Sequence, residues 1–245
     1  MICAVSLVIC LPTYDERDNL EAMVRALGDV FERAGLDGRV LVVDDASPDG
    51  TGEIADRLAA ELPWVGVLHR ERKEGLGPAY LAGFRRALAD GAELVMEMDC
   101  DFSHDPQDVP RLVRGTEEAD VVVGSRYAPG GGVRNWGLLR RAISRGGCLY
   151  AQAILGFGVR DSTAGFKVFR REVLETIDLD AIRSKGYAFQ IENVYRALRA
   201  GFRVAEVPIV FADRETGSSK MSRRIVLEAV VKVPALRLAA LRGRL

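Results

Sequence analysis

Apolar residues recur along this chain in two alternating periods. Val5–Leu11 is a continuous apolar run of strand length that closes on Pro12-Thr13-Tyr14-Asp15-Glu16. Leu20, Met23, Val24, Leu27, Val30 and Phe31 then return every three or four residues, the stripe of an amphipathic helix. The same pair of signals repeats. Val40–Val43 reads as a strand ending in Asp44-Asp45, followed by a helix through Ile54, Ala55, Leu58 and Ala59. A strand at Val65–Leu68, a helix at Leu76–Leu88, a strand at Glu93–Met98, a helix over 107–117 and a strand at Val121–Gly124 follow. Strands alternating with helices predict a doubly wound α/β fold around a largely parallel sheet.

From Tyr127 the pattern turns irregular. Pro129-Gly130-Gly131-Gly132 reads as a flexible loop and Leu138–Ile154 as a helix. Lys167–Phe169 and Val204–Val210 read as strands, with a helix near Gln190–Ala200 between them. The chain thus divides into one domain over 1–222, with halves 1–125 and 126–222, and a tail over 223–245. In the tail Ile225, Ala229, Val233, Leu236 and Ala240 fall on one helical stripe, and Pro234 predicts two short segments or a kink.

Composition narrows the function classes. With 245 residues, 48% of them hydrophobic, the chain can bury a full core. A net charge of −1 argues against a nucleic-acid binder relying on overall basicity. That balance hides an asymmetry, because residues 218–245 carry net +6 and residues 1–217 net −7. An acidic body with a basic, apolar tail points to an anionic neighbour such as a membrane surface. The four cysteines show no metal-site spacing and read as reduced thiols of a cytosolic protein. No uncharged apolar run reaches the ~20 residues needed to span a bilayer.

The chemistry gathers at strand ends. Asp99-Cys100-Asp101 follows the apolar Glu93–Met98 run, and Pro106 stops it. In an open α/β sheet ligands bind at the carboxyl ends of strands. Residues i and i+2 of a strand point the same way, so Asp99 and Asp101 can converge on one hard cation, which in turn carries phosphates. A polar turn after a strand would read the same way. Walker sequences are absent, and Gly75-Leu76-Gly77-Pro78-Ala79-Tyr80 breaks the dinucleotide glycine pattern at its last position.

Four clusters stand in order: Pro12-Thr13-Tyr14-Asp15-Glu16, Asp44-Asp45-x-Ser47-Pro48-Asp49-Gly50-Thr51, Asp99-Cys100-Asp101 and Gly124-Ser125-Arg126-Tyr127. Together they resemble the GT-A-fold inverting glycosyltransferases of family 2. The resemblance is greatest to the dolichol-phosphate (polyprenol-phosphate) mannose synthase group. It also rests on Phe102-Ser103-His104-x-Pro106, Asp161-x-Thr163-x-Gly165-Phe166-Lys167, Gly186-Tyr187-x-Phe189-Gln190-x-Glu192 and Arg214-x-x-Gly217-x-Ser219-Lys220. It spans roughly residues 5–222. Cys100 departs from it, since the family usually has Ala there.

The resemblance implies GDP-mannose as donor and a membrane-borne polyprenyl phosphate as acceptor. Pro12, Tyr14, Glu16, Val43 and Asp45 match the base and ribose positions, Asp99 and Asp101 match the Mg²⁺ or Mn²⁺ pair, and Cys100 between them is counted with the nucleotide-sugar-binding residues. Glu16 and Asp45 also suit helix N-termini, where a carboxylate complements the macrodipole. Arg214 and Lys220 match a basic loop closing on the diphosphate, and a solvated loop would have the same composition. Arg126, Arg140 and Ser144 match the acceptor-phosphate positions, while Arg134, Arg141 and Arg145 read as surface charges. The acceptor phosphate would attack the sugar without a protein base, so His104 is not expected to act as one. A polyprenyl-phosphate glucosyltransferase using a UDP-sugar is the alternative, followed by a non-catalytic nucleotide-sugar-binding subunit. The tail's stripe fits either a bilayer interface or the protein's own surface, and a lipid substrate favours the former. Peripheral attachment to the cytoplasmic leaflet, with room for a separate membrane-spanning subunit, is the expected location.

Overall fold

A computed structural model of the chain describes residues 5–184, 186–213, 223–243 and 245, with the side chains of residues 223–227 outside that description. Arg214 and Lys220 therefore lie outside the described residues, as does the side chain of Ile225. The predicted alternation is present: β1 (Leu7–Thr13), α1 (Arg17–Ala34), β2 (Gly38–Asp44), α2 (Thr51–Glu61), β3 (Val65–His69), α3 (Leu76–Ala89) and β4 (Leu94–Glu97). A 3-10 turn at Pro106–Asp108 leads into α4 (Val109–Gly115) and β5 (Val121–Ser125). The second half contributes β6 (Gly132–Val133), α5 (Leu138–Leu155), β7 (Lys167–Arg170), α6 (Arg171–Thr176), α7 (Gly186–Arg199), β8 (Val204–Pro208), β9 (Val210–Phe211) and α8 (Arg223–Leu241).

Seven strands form one sheet in the order β3-β2-β1-β4-β7-β5-β8. Strand β1 pairs in parallel with β2 on one side and with β4 on the other, so the strand order reverses beside it. The carboxyl ends of these three neighbours carry the predicted clusters. Apolar side chains alternate between the two faces along β1. Leu7, Ile9 and Leu11 join one cluster with α1, α2 and α4. Val8 and Cys10 join the other with α3, α6 and α7.

Strand β7 runs antiparallel between β4 and β5, a reversal that the apolar run alone does not signal. Its register sets Glu97 opposite Lys167, and both side chains are fully buried. Lys167 Nζ lies 3.2 Å from Glu97 Oε1 and also donates to Ala164 O and Gln190 Oε1. Gln190 Nε2 closes the ring onto Glu97 Oε2 at 2.9 Å. Burial pushes both groups toward neutrality, Glu97 upward and Lys167 downward in pKa, while their attraction and hydrogen bonds oppose it.

One expectation is corrected and another is narrowed. The single Val204–Val210 strand is divided into β8 and β9, because Pro208 has no N–H with which to extend the β5 ladder. Ile209 turns into the core, and β9 pairs instead with β6. The tail is not broken into two segments: α8 runs through Pro234. Proline at 234 deprives the Val230 carbonyl of its helical donor, and Tyr150 Oη of α5 donates to that carbonyl at 2.9 Å. Val233, Leu236 and Ala240 of α8 pack with Ala151 and Leu155 of α5 and Ile191 and Tyr195 of α7. Three of the stripe's five residues, Val233, Leu236 and Ala240, are thus covered by the protein's own helices.

Removing one partner of a buried ion pair strands the other charge, at a cost of about 3–5 kcal/mol. Lys167→Met should lower the unfolding free energy by that order in urea titrations. Glu97→Leu combined with Lys167→Met should recover most of the loss, because no charge is then left unpaired.

Candidate active site

Three loops meet at the ends of β1, β2 and β4, and each contains a non-glycine residue in the left-handed region: Asp15 (φ 57°), Ala46 (φ 58°) and Phe102 (φ 57°). Such conformations cost of order 1–2 kcal/mol each and concentrate at functional sites. The first two loops are clasped by Asp49. Its carboxylate accepts from Thr51 N and Oγ1 (3.0 and 2.6 Å) and from Arg17 N (3.2 Å). Thr51 Oγ1 in turn accepts from Glu16 N at 3.1 Å. Pro48-Asp49-Gly50-Thr51 therefore ties the starts of α1 and α2 together. Asn19 Nδ2 donates to the buried Glu16 carboxylate at 2.8 Å, and Lys73 Nζ sits 3.3 Å over the Tyr14 ring. Pro12 pairs with Val43 across β1 and β2, next to Thr13 opposite Asp44.

Asp45 is buried and heavily engaged. It accepts from the Arg70 guanidinium, from Glu74 N at 3.1 Å and from Gly75 N at 3.2 Å. Gly75 is the N-cap of α3, so this carboxylate does complement a helix N-terminus, one distant in sequence and not that of α2.

Asp99 and Asp101 follow β4 directly, as the apolar run predicts. Asp101 Oδ1 accepts from Ser103 N at 3.0 Å, which shapes the turn, and Tyr80 Oη donates to Asp99 Oδ1 at 3.4 Å. His104 Nδ1 accepts from Asp99 N at 3.2 Å while its ring stacks on Phe166 at 4.9 Å. Burial holds the His104 pKa down to about 4, so the imidazole is neutral at pH 7 and its Nδ1 lone pair is engaged by the backbone. Gly165 lies against this turn. A Cβ there would meet Gln190 Nε2, His104 Cε1 and Asp99 Oδ1 at 3.6, 3.8 and 3.9 Å.

Among the described residues no three His, Cys, Asp or Glu side chains are grouped to hold a metal. The chain offers hard carboxylate oxygens from two residues, with the neighbouring imidazole already engaged. That donor set suits Mg²⁺ or Mn²⁺, which complete their shells with water and substrate phosphate.

Across the β4–β7–β5 ends lies a second, basic cluster. Arg126 is buried and bidentate to Asp161, with Nε to Oδ2 at 2.7 Å and Nη2 to Oδ1 at 2.6 Å, and Nη2 also reaches Thr163 Oγ1 at 2.8 Å. Burial disfavours the Arg126 charge, but the facing carboxylate outweighs burial and raises its pKa. Trp136 lies between two guanidinium groups, Arg126 at 5.5 Å and Arg140 at 4.2 Å from its ring centroid. Arg140 Nη1 donates to Asp213 Oδ1 at 2.8 Å, and Ser144 Oγ accepts from Tyr127 Oη at 2.7 Å. Sequence alone assigns Arg145 to the surface with Arg134 and Arg141. The structure keeps the latter two exposed but lays Arg145 over the Tyr127 ring at 4.8 Å. Arg140 Nε, Arg145 Nη1 and Trp136 Nε1 are buried donors with no acceptor. Buried polar groups are seldom left so, and unpaired donors gathered around arginines suit an anion. Trp136 and Arg145 carry no sequence signal for this role, because only the fold turns them onto Arg126 and Tyr127.

A family model described as "Glycosyl transferase family 2" matches residues 8–178. The chain belongs to glycosyl transferase family 2. Among curated members, the chain is 50% identical over 239 residues to undecaprenyl-phosphate mannosyltransferase of Micrococcus luteus, covering 96% of this chain and 97% of that one. It is 48% identical over 240 residues to polyprenol monophosphomannose synthase of Mycolicibacterium smegmatis, covering 97% and 88%. A solved structure of glucosyl-3-phosphoglycerate synthase from Mycobacterium tuberculosis, in complex with Mn²⁺, UDP and glucosyl-3-phosphoglycerate, superposes with a TM-score of 0.62 at 20% identity, covering 98% of this chain and 80% of that one. The mixed, mostly parallel sheet flanked by helices is thus the GT-A arrangement of a glycosyltransferase.

Within this family 2 site, Asp45 separates a structural role from a ligand role. Asp45→Ala leaves two backbone donors and the Nη1 arm of the largely buried Arg70 without their acceptor, while Arg70 keeps Glu74, which should cost about 2–4 kcal/mol of stability. A ligand contact alone would leave the urea midpoint of the free enzyme unchanged.

Proposed function

We propose that this family 2 enzyme transfers mannose from GDP-mannose to a polyprenyl phosphate, with inversion, releasing GDP and a polyprenyl β-mannosyl phosphate. The observation that carries this reading is the pairing of two strand-end carboxylates with a separate cluster of buried, unpartnered cationic and indole donors. One side suits a nucleotide diphosphate, and the other suits a lone phosphate. The names of the 50%- and 48%-identical relatives, both polyprenyl-phosphate mannose transferases, support the same substrates.

The acceptor needs no protein base. A phosphate monoester has a second pKa near ~6, so its oxygen is already anionic at pH 7. Neutral His104, engaged by Asp99 N, holds the Asp99–Asp101 turn and does not remove a proton. Arg126, fixed by Asp161, orients its remaining Nη1 edge, while Arg140, Arg145, Trp136 and Ser144 position the phosphate for attack opposite the leaving group. Pro12, Tyr14, Glu16, Val43 and Asp45 frame the base and ribose, whereas the Cys100 side chain is buried in the core with Met98 and Val109 and would reach the nucleotide sugar only through its backbone. Asp99 and Asp101 would hold Mg²⁺ or Mn²⁺, which when bound supplies positive charge to the departing diphosphate. Arg214 and Lys220 would add charge from their loop. Because the acceptor is a lipid, the enzyme would work at the cytoplasmic face of a membrane. No helix among the described residues is long and apolar enough to cross one.

Transfer of radiolabelled mannose from GDP-mannose to polyprenyl phosphate, run beside UDP-glucose, tests the reading. Label transfer from UDP-glucose alone would replace the donor. Asp99→Asn and Asp101→Asn should each lower turnover by about 10³-fold with added Mg²⁺, while the amide oxygen still accepts from Tyr80 Oη or Ser103 N and keeps the urea midpoint near that of the wild type. Arg145→Ala and Arg140→Ala should each cost about 10–100-fold in transfer and leave GDP-mannose binding by calorimetry unchanged. Weakened nucleotide binding in either would move that arginine to the donor side.

A further inference from the structure

Helix α5 exposes one face that carries no charge. Leu138, Leu139, Ala142, Ile143, Gly146 and Leu149 are all exposed and fall within an arc of about 140° at 3.6 residues per turn. Leu138 is 83% exposed, Leu139 75%, Leu149 49% and Ile143 41%, values normal for charged residues and not for leucines on two successive turns. The opposite side of the same helix holds Arg140 and Ser144, turned toward Asp213, Trp136 and Tyr127. One helix therefore offers phosphate donors inward and bare hydrocarbon outward.

The charge around this face has one sign. Residues 121–160 contain no acidic residue and six arginines, of which Arg134 and Arg141 stand exposed at the helix start. The tail cannot take the same role through its stripe, since Val233, Leu236 and Ala240 are buried against α5 and α7. Tyr150 Oη to Val230 O and Arg237 Nη1 to Leu155 O hold α8 alongside α5.

We propose that the Leu138–Leu149 face of α5 is the surface that enters the headgroup region of an anionic bilayer, with Arg134 and Arg141 against the lipid phosphates. An amphipathic helix binds membranes through buried apolar area plus attraction to anionic lipid. The proposal rests on the polyprenyl-phosphate reading. A lipid phosphate gripped by one side of α5 has its hydrocarbon continuing into the bilayer, so the gripping helix lies at the interface.

Flotation with phosphatidylglycerol-containing vesicles at low salt tests it. A parallel activity assay uses a short, water-dispersed prenyl phosphate. The full chain should float, and Leu139→Glu combined with Ile143→Glu should cut the vesicle-bound fraction by about tenfold or more while keeping turnover on the short acceptor within about twofold. Val231→Glu with Leu238→Glu, on the exposed side of α8, should still float. Leu139→Trp, used as a probe that keeps the face apolar, should shift its emission to the blue when vesicles are added. Unchanged flotation of the α5 double variant, loss confined to the α8 variant, or a wild-type dimer that the α5 variant converts to monomer would each overturn the proposal. The last result would mean that a second copy covers the face. A wild type that floats but transfers to no prenyl phosphate would leave the surface standing and remove the functional reading.

Discussion

The Glu97–Lys167 pair is the constraint on which the arrangement of this site depends. The two residues face each other across β4 and β7, fully buried, with Gln190 bridging from α7. Desolvating two charges can exceed their mutual attraction, so such a pair is weak evidence for extra stability. Its effect on register is stronger. A slip of one residue along β7 would send Lys167 to the other face and bury a lone cation, a far worse state than either neighbour register of an apolar strand. With register fixed, Phe166 stacks on His104 and Gly165 lies against Asp99. The antiparallel strand thus brings its leading loop to the carboxylates at the end of β4.

The same seven-residue stretch carries a second buried pair. Asp161 begins it and holds Arg126 through both guanidinium edges, while Lys167 ends it. One short segment therefore anchors the basic cluster at its first residue and the Asp99–Asp101 turn at its last. Both pairs lie behind the surface a substrate would meet. The charges that give the segment its place are neutralised internally, while Arg140 Nε and Arg145 Nη1 are left without an acceptor.

The α/β alternation was legible in the sequence because period and polarity agree with burial along β1, β2, β4 and β5. Asp99 and Asp101 were legible for the same reason, since a carboxylate pair stands out at the end of an apolar run. The direction of β7 was not. Four residues of buried strand look alike whether parallel or antiparallel, and nothing in the sequence names Glu97, 70 residues away, as the partner of Lys167. Arg145 and Asp45 were illegible for a related reason. Their environments are made by Tyr127, 18 residues away in sequence, and by Glu74 and Gly75, 29 and 30 residues away. At Pro234 the residue itself gave the opposite signal. Proline interrupts a hydrogen-bond ladder, yet a tyrosine on another helix takes up the released carbonyl.

The two sides of the site are prepared differently, and the proposed reaction accounts for the difference. On the nucleotide side Asp45 and Asp49 are satisfied by loop N–H groups and a guanidinium, so those loops are shaped before any ligand arrives. On the basic side three donors are buried without acceptors, each at a cost of roughly 1–3 kcal/mol in the free enzyme. In the proposed reaction an arriving phosphate would remove that cost as it binds, so its recognition would include relief of an unfavourable state as well as new attraction. Proton transfer has no such preparation: the imidazole beside the carboxylates is neutral, buried and engaged by Asp99 N. A nucleophile that arrives already ionised needs its charge located and its approach aligned, and location and alignment are what the unpaired donors would supply in the proposed reaction.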